Sequence, residues 1–306
     1  MDNGVWTIGK IINWTKQYFE SRGIENPRLD AELLLCAVLK CERIKLYVDF
    51  EYPLSKEELA VFKDYVQRRG QQEPLAYILG EKAFMRNSFK VTSDTLIPRP
   101  ETELLVESVL KAVPQLFSDK ACPKLLDIGT GSGAIIVSLL DYLPEAKGVG
   151  VDISVGALTV ARANAEIIGV LDRAGFVRSD LFSRLPQDKL FDVIVSNPPY
   201  IPTNVISTLA QDVQKEPFTA LDGGADGLDF YRRIIAEAPV HLDKVGLLAL
   251  EIGIDEAEAV TAMCREAGFK YVAIRKDYAE IDRMVFAIKA SEEDQKYEDL
   301  LLEITR

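Results

Sequence analysis

Lys124-Leu125-Leu126-Asp127-Ile128-Gly129-Thr130-Gly131-Ser132-Gly133-Ala134 is the stretch from which the fold can be read. A short apolar run stopped by glycine reads as a buried strand, and Ala134–Leu140 reads as a helix. Strand, glycine turn and helix in that order make a cradle. Glycines let the backbone approach a ligand, and the helix N-terminus faces it. The glycine pattern alone is weak evidence for any one ligand. Asp127 sharpens it, because an acid just before the turn suits a cationic amino group and repels a pyrophosphate. The pattern therefore favours S-adenosylmethionine over NAD, held by Asp127, Gly129, Thr130, Gly131, Ser132 and Gly133.

Outward from the cradle, strands and helices alternate. Gly148-Val149-Gly150-Val151-Asp152 reads as the second strand, ending in an acid 19 residues past Gly133, the spacing of a ribose-hydroxyl acceptor. A strand-end cap would explain Asp152 alone but not the pair of strands. Phe176-Val177 is a weak third strand ending at Ser179-Asp180-Leu181, where Asp180 is a candidate acceptor for an adenine amino group; an exposed loop acid is the competing reading. Residues 191–195 form the fourth strand and Gly246–Ile252 the fifth. Tyr271–Arg275 and Met284–Ile288 read as a closing antiparallel hairpin. The pattern predicts an α/β fold, a Rossmann-like doubly wound sheet with its ligand crevice at the strands' carboxyl ends. Asp127, Asp152, Asp180 and Asn197 all fall at such ends.

The fourth strand delivers Asn197-Pro198-Pro199-Tyr200. Neither proline has an N–H to donate, and each biases its predecessor toward extended geometry. Asn197 and Pro198 thus offer two oxygen acceptors at a stiff strand end, with the Tyr200 ring close by. Such a corner suits an NH2 group, whose two donors need two acceptors. Pro-Pro alone reads as a turn; the four residues in order at a strand end read as a site for methylating nitrogen.

The 306 residues suffice for two domains, and 48% hydrophobic with 27% charged residues is an ordinary globular balance. A net charge of -12 argues against extended contact with nucleic-acid phosphates. Cys36, Cys41, Cys122 and Cys264 lack metal-ligand spacing, and His241 is the only histidine, so no metal site and no His-based triad is expected. His241, between Val240 and Leu242, is assigned to packing. No apolar run approaches membrane-spanning length, and Met1-Asp2-Asn3-Gly4 lacks the basic start of a secretory signal. A cytoplasmic protein with reduced thiols is expected.

Residues 1–75 read as a small all-α bundle. Thr7 caps a helix with apolar Ile8, Ile11, Ile12, Trp14, Tyr18 and Phe19, and Asn26-Pro27 opens a second. Ser55-Lys56-Glu57-Glu58 is a capping box leading into a third, closed by Arg68-Arg69-Gly70. Residues 76–95 read as a linking β-hairpin turning at Arg86-Asn87-Ser88, and 96–290 as the sheet domain. Arg99, between two prolines, is expected to be extended ahead of a helix with acids in its first turn. The tail 291–306, with six acids against two bases, is expected to be a solvated helix end or frayed terminus.

The chain resembles the peptide chain release factor glutamine N5-methyltransferases (the HemK/PrmC family) nearly end to end. The resemblance rests on Pro74 through Gly80, Leu96-Ile97-Pro98-Arg99-Pro100-Glu101-Thr102-Glu103, Asp127 through Gly133 and Asn197 through Tyr200. It continues through Ala220-Leu221-Asp222-Gly223-Gly224-Ala225-Asp226-Gly227-Leu228 and Leu250-Glu251-Ile252-Gly253. It implies a class I S-adenosylmethionine-dependent methyltransferase domain behind a helical substrate-recognition domain. The reaction implied is methylation of the side-chain amide of the glutamine in the Gly-Gly-Gln motif of class-I release factors, leaving S-adenosylhomocysteine. Asn197, Pro198, Pro199 and Tyr200 would hold that amide, with Asn197 also bordering the cofactor. Leu181, with Asp180, falls at the adenine contact, where some members carry an aromatic residue. A monomer without direct nucleic-acid or membrane contact is expected. Two other readings stay open: an adenine-N6 or guanine-N2 methyltransferase on DNA or RNA, and a non-catalytic cofactor-binding partner protein. The charge disfavours the first and the intact corner the second.

Overall fold

The computed structural model describes residues 5–292 and 294–306; the expectation for Met1-Asp2-Asn3-Gly4, and Glu293 of the tail, lie outside them. Two compact units result. One runs to Glu81 and includes Ala210–Lys215; the other comprises Lys82–Leu209 and Glu216–Arg306.

The first unit is helical: α1 (Ile8–Ser21), α2 (Pro27–Leu39), α3 (Arg43–Val48), α4 (Lys56–Gly70) and α5 (Leu75–Leu79). The Thr7 hydroxyl accepts the Lys10 N–H, and Ser55 and Glu58 cap each other's backbone reciprocally. Asn26 sits at its cap position but makes no side-chain cap bond; Pro27 opens α2 without it. Ile8, Ile12, Phe19, Leu34, Leu35 and Phe62 fill the core. Trp14, one of the apolar positions of α1, is 49% exposed and stacks on Tyr18. Arg69 is buried, donating to Asp30 at 2.7 Å, to the Glu73 carbonyl at 3.1 Å and to Asp212 at 3.4 Å, which ties Ala210–Lys215 into this unit. A buried guanidinium needs such a full set of acceptors.

The second unit opens with a two-stranded hairpin, β1 (Glu81–Phe84) and β2 (Asn87–Lys90). It turns at Met85-Arg86, earlier than the Arg86-Asn87-Ser88 expected from sequence. Met85 takes the left-handed φ of 53° there, and its N–H donates to Glu103 at 2.9 Å, a contact no local pattern reveals.

The second unit continues with α6 (Pro100–Leu116), β3 (Lys124–Ile128), α7 (Ala134–Tyr142), β4 (Lys147–Asp152), α8 (Val155–Ile168), β5 (Ala174–Arg178) and β6 (Phe191–Ser196). After these come α9 (Phe218–Leu221), α10 (Asp229–His241), β7 (Leu242–Glu251), α11 (Ala257–Glu266), β8 (Tyr271–Lys276), β9 (Asp282–Lys289) and α12 (Gln295–Ile304). The strand order is β5-β4-β3-β6-β7-β9-β8, parallel except for β9, which runs antiparallel between β7 and β8. Strand alternation divides the core. Leu125, Val193, Val195, Leu247 and Ala249 face the cluster shared with α6, α7 and α12, while Leu126, Ile194, Leu248 and Leu250 face that of α10 and α11. The parallel strands end together, so their carboxyl-terminal residues share one rim.

The acidic tail departs from expectation. Tyr297, Leu300, Leu301 and Ile304 recur at helical spacing, are buried against the sheet domain's core, and seat α12 with its acids outward. His241 is buried and stacks on Phe182 at 4.6 Å.

Candidate active site

A cavity of about 710 Å³ opens at the carboxyl ends of β3, β4 and β6. Its size is that of a small-molecule site, and the crevice is where a doubly wound sheet places its ligand. Gly129, Thr130, Gly131, Ser132, Asp152, Asp180, Leu181, Asn197, Pro198 and Pro199 line it, so the sheet brings together most of the residues singled out from sequence. Asp127, Gly133 and Tyr200 are not part of its wall.

The cradle is built by backbone geometry. Gly129, Gly131 and Gly133 have φ of 70°, 54° and 80°, which side chains adopt only under strain. A Cβ on Gly129 would meet no atom within 4 Å and on Gly131 only the Gly129 carbonyl at 4.0 Å, so side chains there would enter the ligand space. Gly133 serves packing instead: its Cβ would lie 3.0 Å from that of Ala161. Asp152 accepts the Gly131 N–H and the Ser154 N–H, both at 2.9 Å, with lone pairs to spare at the cavity. Burial raises its pKa, against those backbone hydrogen bonds.

Asp127 lies beneath the turn, fully buried, with Oδ2 accepting the Thr130 hydroxyl at 2.6 Å and Oδ1 unpartnered. Burial pushes its carboxyl up to about 7. It supports the turn from below, whereas its sequence position suggested direct contact with an amino group. Asp180 is half-exposed at the cavity edge and pairs with Arg233 at 2.8 Å. Leu181, beside it, is buried with φ 48° and its carbonyl accepts the Ser179 hydroxyl; it offers an aliphatic wall and no ring to stack.

At the end of β6, the Ser196 hydroxyl donates to the Ile128 carbonyl at 2.7 Å and locks the corner to β3. Asn197 Nδ2 donates to Thr102 Oγ1 at 3.2 Å, and that hydroxyl donates to Glu251 Oε2 at 2.6 Å. Asn197 Oδ1 is buried and has no partner. Tyr200 packs on the α10–α11 side of the core, and burial raises its pKa. Its backbone is gripped by glycines: a Cβ on Gly223 would lie 2.7 Å from Tyr200 Cα, and one on Gly227 2.5 Å from its carbonyl oxygen. Ile201 pairs with Leu221 and Gly223 through backbone hydrogen bonds, completing the seat.

Several residues at the site show no chemical role in the sequence alone. Thr102, Arg99, Glu216 and Glu251 come from elements far apart in the chain. Only their presence in the Ile97–Glu103 and Leu250–Gly253 motifs marked them, Glu216 excepted. Arg99 is extended, as its flanking prolines dictate, and pairs with Glu216 on the cavity wall.

The sheet order with its antiparallel β9, the glycine cradle and the Asn-Pro-Pro-Tyr corner define a class I S-adenosylmethionine-dependent methyltransferase. Family models agree: residues 10–80 match the PrmC N-terminal domain and residues 101–224 the methyltransferase small domain. The release factor glutamine methyltransferase of Geobacter sulfurreducens is 46% identical over 282 residues, covering 92% of this chain and 96% of that one. Its counterpart in Moorella thermoacetica is 42% identical over 287 residues, covering 94% and 100%. The chain belongs to the release factor glutamine methyltransferase family. Among solved structures, the hMettl16 catalytic domain in complex with MAT2A 3'UTR hairpin 6 shares the fold, with a TM-score of 0.54 at 16% identity, over 78% of this chain and 82% of that one.

Proposed function

We propose that this chain methylates the side-chain amide nitrogen (N5) of the glutamine in the Gly-Gly-Gln motif of class-I peptide chain release factors, in support of translation termination. The observation that carries this reading is Asn197 Oδ1, a buried acceptor without a partner beside the cavity-lining Pro198. A primary amide brings two N–H donors, and Asn197 Oδ1 with the Pro198 carbonyl would accept them. Bound S-adenosylmethionine supplies an electrophilic methyl. Gly129, Thr130, Gly131, Ser132, Asp152, Asp180 and Leu181 would hold it, and the open space above Gly129 and Gly131 fits a ligand pressed against backbone.

An amide nitrogen is a poor nucleophile because its lone pair is delocalised into the carbonyl. The site's contribution is then to orient that nitrogen and to favour the positive charge it gains in the transition state. Two preset oxygen acceptors do both. As the N–C bond forms, the S–CH3 bond would break and S-adenosylhomocysteine would leave. The N–H then acidifies and its proton passes to solvent water, so no strong base is needed. Tyr200, outside the cavity wall, acts by fixing the corner's backbone. The helical unit, with Trp14, Ile44, Tyr47 and Val48 exposed, is assigned to recognition of the intact release factor, since a glutamine side chain alone offers little surface for selection.

The test is transfer from labelled S-adenosylmethionine to release factor, protein-free RNA and DNA side by side, with the modified residue located by mass spectrometry. Label on the glutamine of Gly-Gly-Gln supports the reading. Label on RNA or DNA, or none on release factor, rejects it.

A further inference from the structure

Asn197 Oδ1 is useful as an acceptor only if the side-chain amide is not flipped. A flipped amide would present NH2 to the cavity, and two NH2 groups would face each other. Nothing in the Asn-Pro-Pro-Tyr sequence prevents this, because the two ends of the amide have the same shape. The structure supplies a cause behind the corner.

We propose that Thr102 and Glu251 are positioning residues that fix which end of the Asn197 side chain faces the cavity, and so select a hydrogen-bond donor as the reacting group. The inference rests on the function proposed above. Its logic is a chain of obligatory polarities. A carboxylate only accepts. Glu251 Oε2 stands 2.6 Å from Thr102 Oγ1, so the single hydroxyl proton is committed to it. What the hydroxyl has left is lone pairs, and Asn197 must therefore turn Nδ2 toward Thr102, at 3.2 Å. Oδ1 is then left facing away from Thr102, buried and unpartnered. Thr102 lies on the cavity wall and Glu251 behind it, at the end of β7. Thr102 comes from α6, Glu251 from β7 and Asn197 from the position just after β6, and both Thr102 and Glu251 are less than 5% exposed, which shields the hydroxyl from bulk water.

The relay is held rigidly. The Tyr231 hydroxyl donates to the Glu251 carbonyl at 3.0 Å. Two residues on, the Gly253 N–H donates to Glu256 at 2.7 Å, closing the strand end. A carboxylate in this place costs desolvation, and a purely structural contact to one threonine would not need a charge. An ionised carboxylate, which accepts and does not donate, is what fixes the direction of the chain.

The experiment uses the full chain and the variants Thr102→Val, Thr102→Ser and Glu251→Gln. Valine keeps the volume and removes the hydroxyl; serine keeps the hydroxyl. Thr102→Val is expected to lower kcat about 10- to 100-fold with cofactor affinity within about twofold of wild type, and Thr102→Ser to restore kcat to within about threefold. A second readout needs neither cofactor nor substrate. The Asn197 side-chain amide signals in a nitrogen-15 NMR spectrum, assigned by their loss in Asn197→Ala, are expected to shift in Thr102→Val and to stay in place in Thr102→Ser. Glu251→Gln lets the hydroxyl point either way, and the same signals are expected to move or double. Wild-type-like kcat in Thr102→Val, or Asn197 signals unmoved in both Thr102→Val and Glu251→Gln, would overturn the relay. Failure of wild type to methylate release factor would instead reject the function, with the spectra still deciding the relay.

Discussion

The Glu216 carboxylate pairs with Arg99 on the cavity wall although 117 residues separate them, and its other oxygen accepts the Ile97 N–H at 2.9 Å. One buried acid thus anchors both the backbone and the cation of the loop that precedes α6. Glu216→Ala removes the acceptor from a buried N–H and leaves Arg99 unpaired. The expected loss is about 2 kcal/mol, mostly from the unsatisfied amide, because Arg99 keeps partial access to water. Urea unfolding checks it, and Glu216→Gln, which retains an acceptor for Ile97, should lose less.

Asn197→Ala removes one preset acceptor without touching the glycine turn. Turnover on release factor is expected to fall about 10²- to 10³-fold. Cofactor affinity, set mainly by the cradle, should stay within a few-fold. Single-turnover transfer together with calorimetry of cofactor binding separates the two effects. A turnover within a few-fold of wild type would remove Asn197 from the role of amide anchor.

The parts of this site that are local in sequence were legible, and the parts made by distant contact were not. Asp152, Asp180 and Asn197 stand where strand-end logic puts them, because a parallel sheet brings its carboxyl ends to one rim. Asp127 obeys the same logic yet lies under the turn, since the Thr130 hydroxyl, three residues on, holds its carboxylate there. The Thr102–Glu251 contact spans 149 residues and no spacing rule reaches it. α12 differs from its sequence expectation for another reason. Its acidic count points to solvent, whereas the helical recurrence of Tyr297, Leu300, Leu301 and Ile304 sets a buried face. The hairpin turns at Met85-Arg86, where Glu103 accepts the Met85 N–H, a tertiary contact that local turn preference does not reveal.

The cradle makes a prediction about binding alone. Gly131→Val puts a β-branched residue at φ 54° and fills open space on the cavity wall, so cofactor affinity should fall beyond calorimetric detection. Asp152→Ala should weaken binding by about 1–3 kcal/mol, the cost of a charge-assisted hydrogen bond. Because Asp152 also holds the Gly131 and Ser154 N–H groups, the variant should lose stability as well. Unchanged affinity in both variants would contradict a cofactor site at this turn.

The buried carboxyls give the free protein a pH-dependent stability of a definite sign. Burial raises Asp127 and Glu256, both to about 7. Between their ordinary values near 4 and pH 7, these groups hold protons in the folded chain that the unfolded chain has released. Stability contributed by them is therefore present below pH 4 and is lost as pH rises toward 7. Asp127→Asn should flatten that slope by up to about 1.4 kcal/mol per pH unit, the effect of one proton. Urea midpoints measured from pH 4.5 to 7.5 for both proteins decide it.

Glu251 shares the upward shift, but its effect on catalysis runs the other way with pH. Burial pushes its carboxyl up to about 7, opposed first by the Thr102 hydrogen bond, then by Arg283 and by the Asn197 side-chain amide, while Glu101 pushes it further up. Tyr200 and Tyr231 are the other titratable groups interacting with it. Below that pKa the carboxyl is protonated and able to donate, so the Thr102 hydroxyl is free to turn toward Asn197 Oδ1 and occupy the acceptor meant for the substrate. Turnover in wild type should consequently fall as pH drops through about 7, following a single proton. In Glu251→Gln the same ambiguity exists at every pH, so turnover should be low throughout and this acid limb absent. The measurement is kcat on release factor from pH 5.5 to 8.5 at saturating cofactor, in both proteins. An acid limb of equal size in Glu251→Gln would assign the titration to another group, Asp152 being the first to examine because burial raises it at the cavity wall.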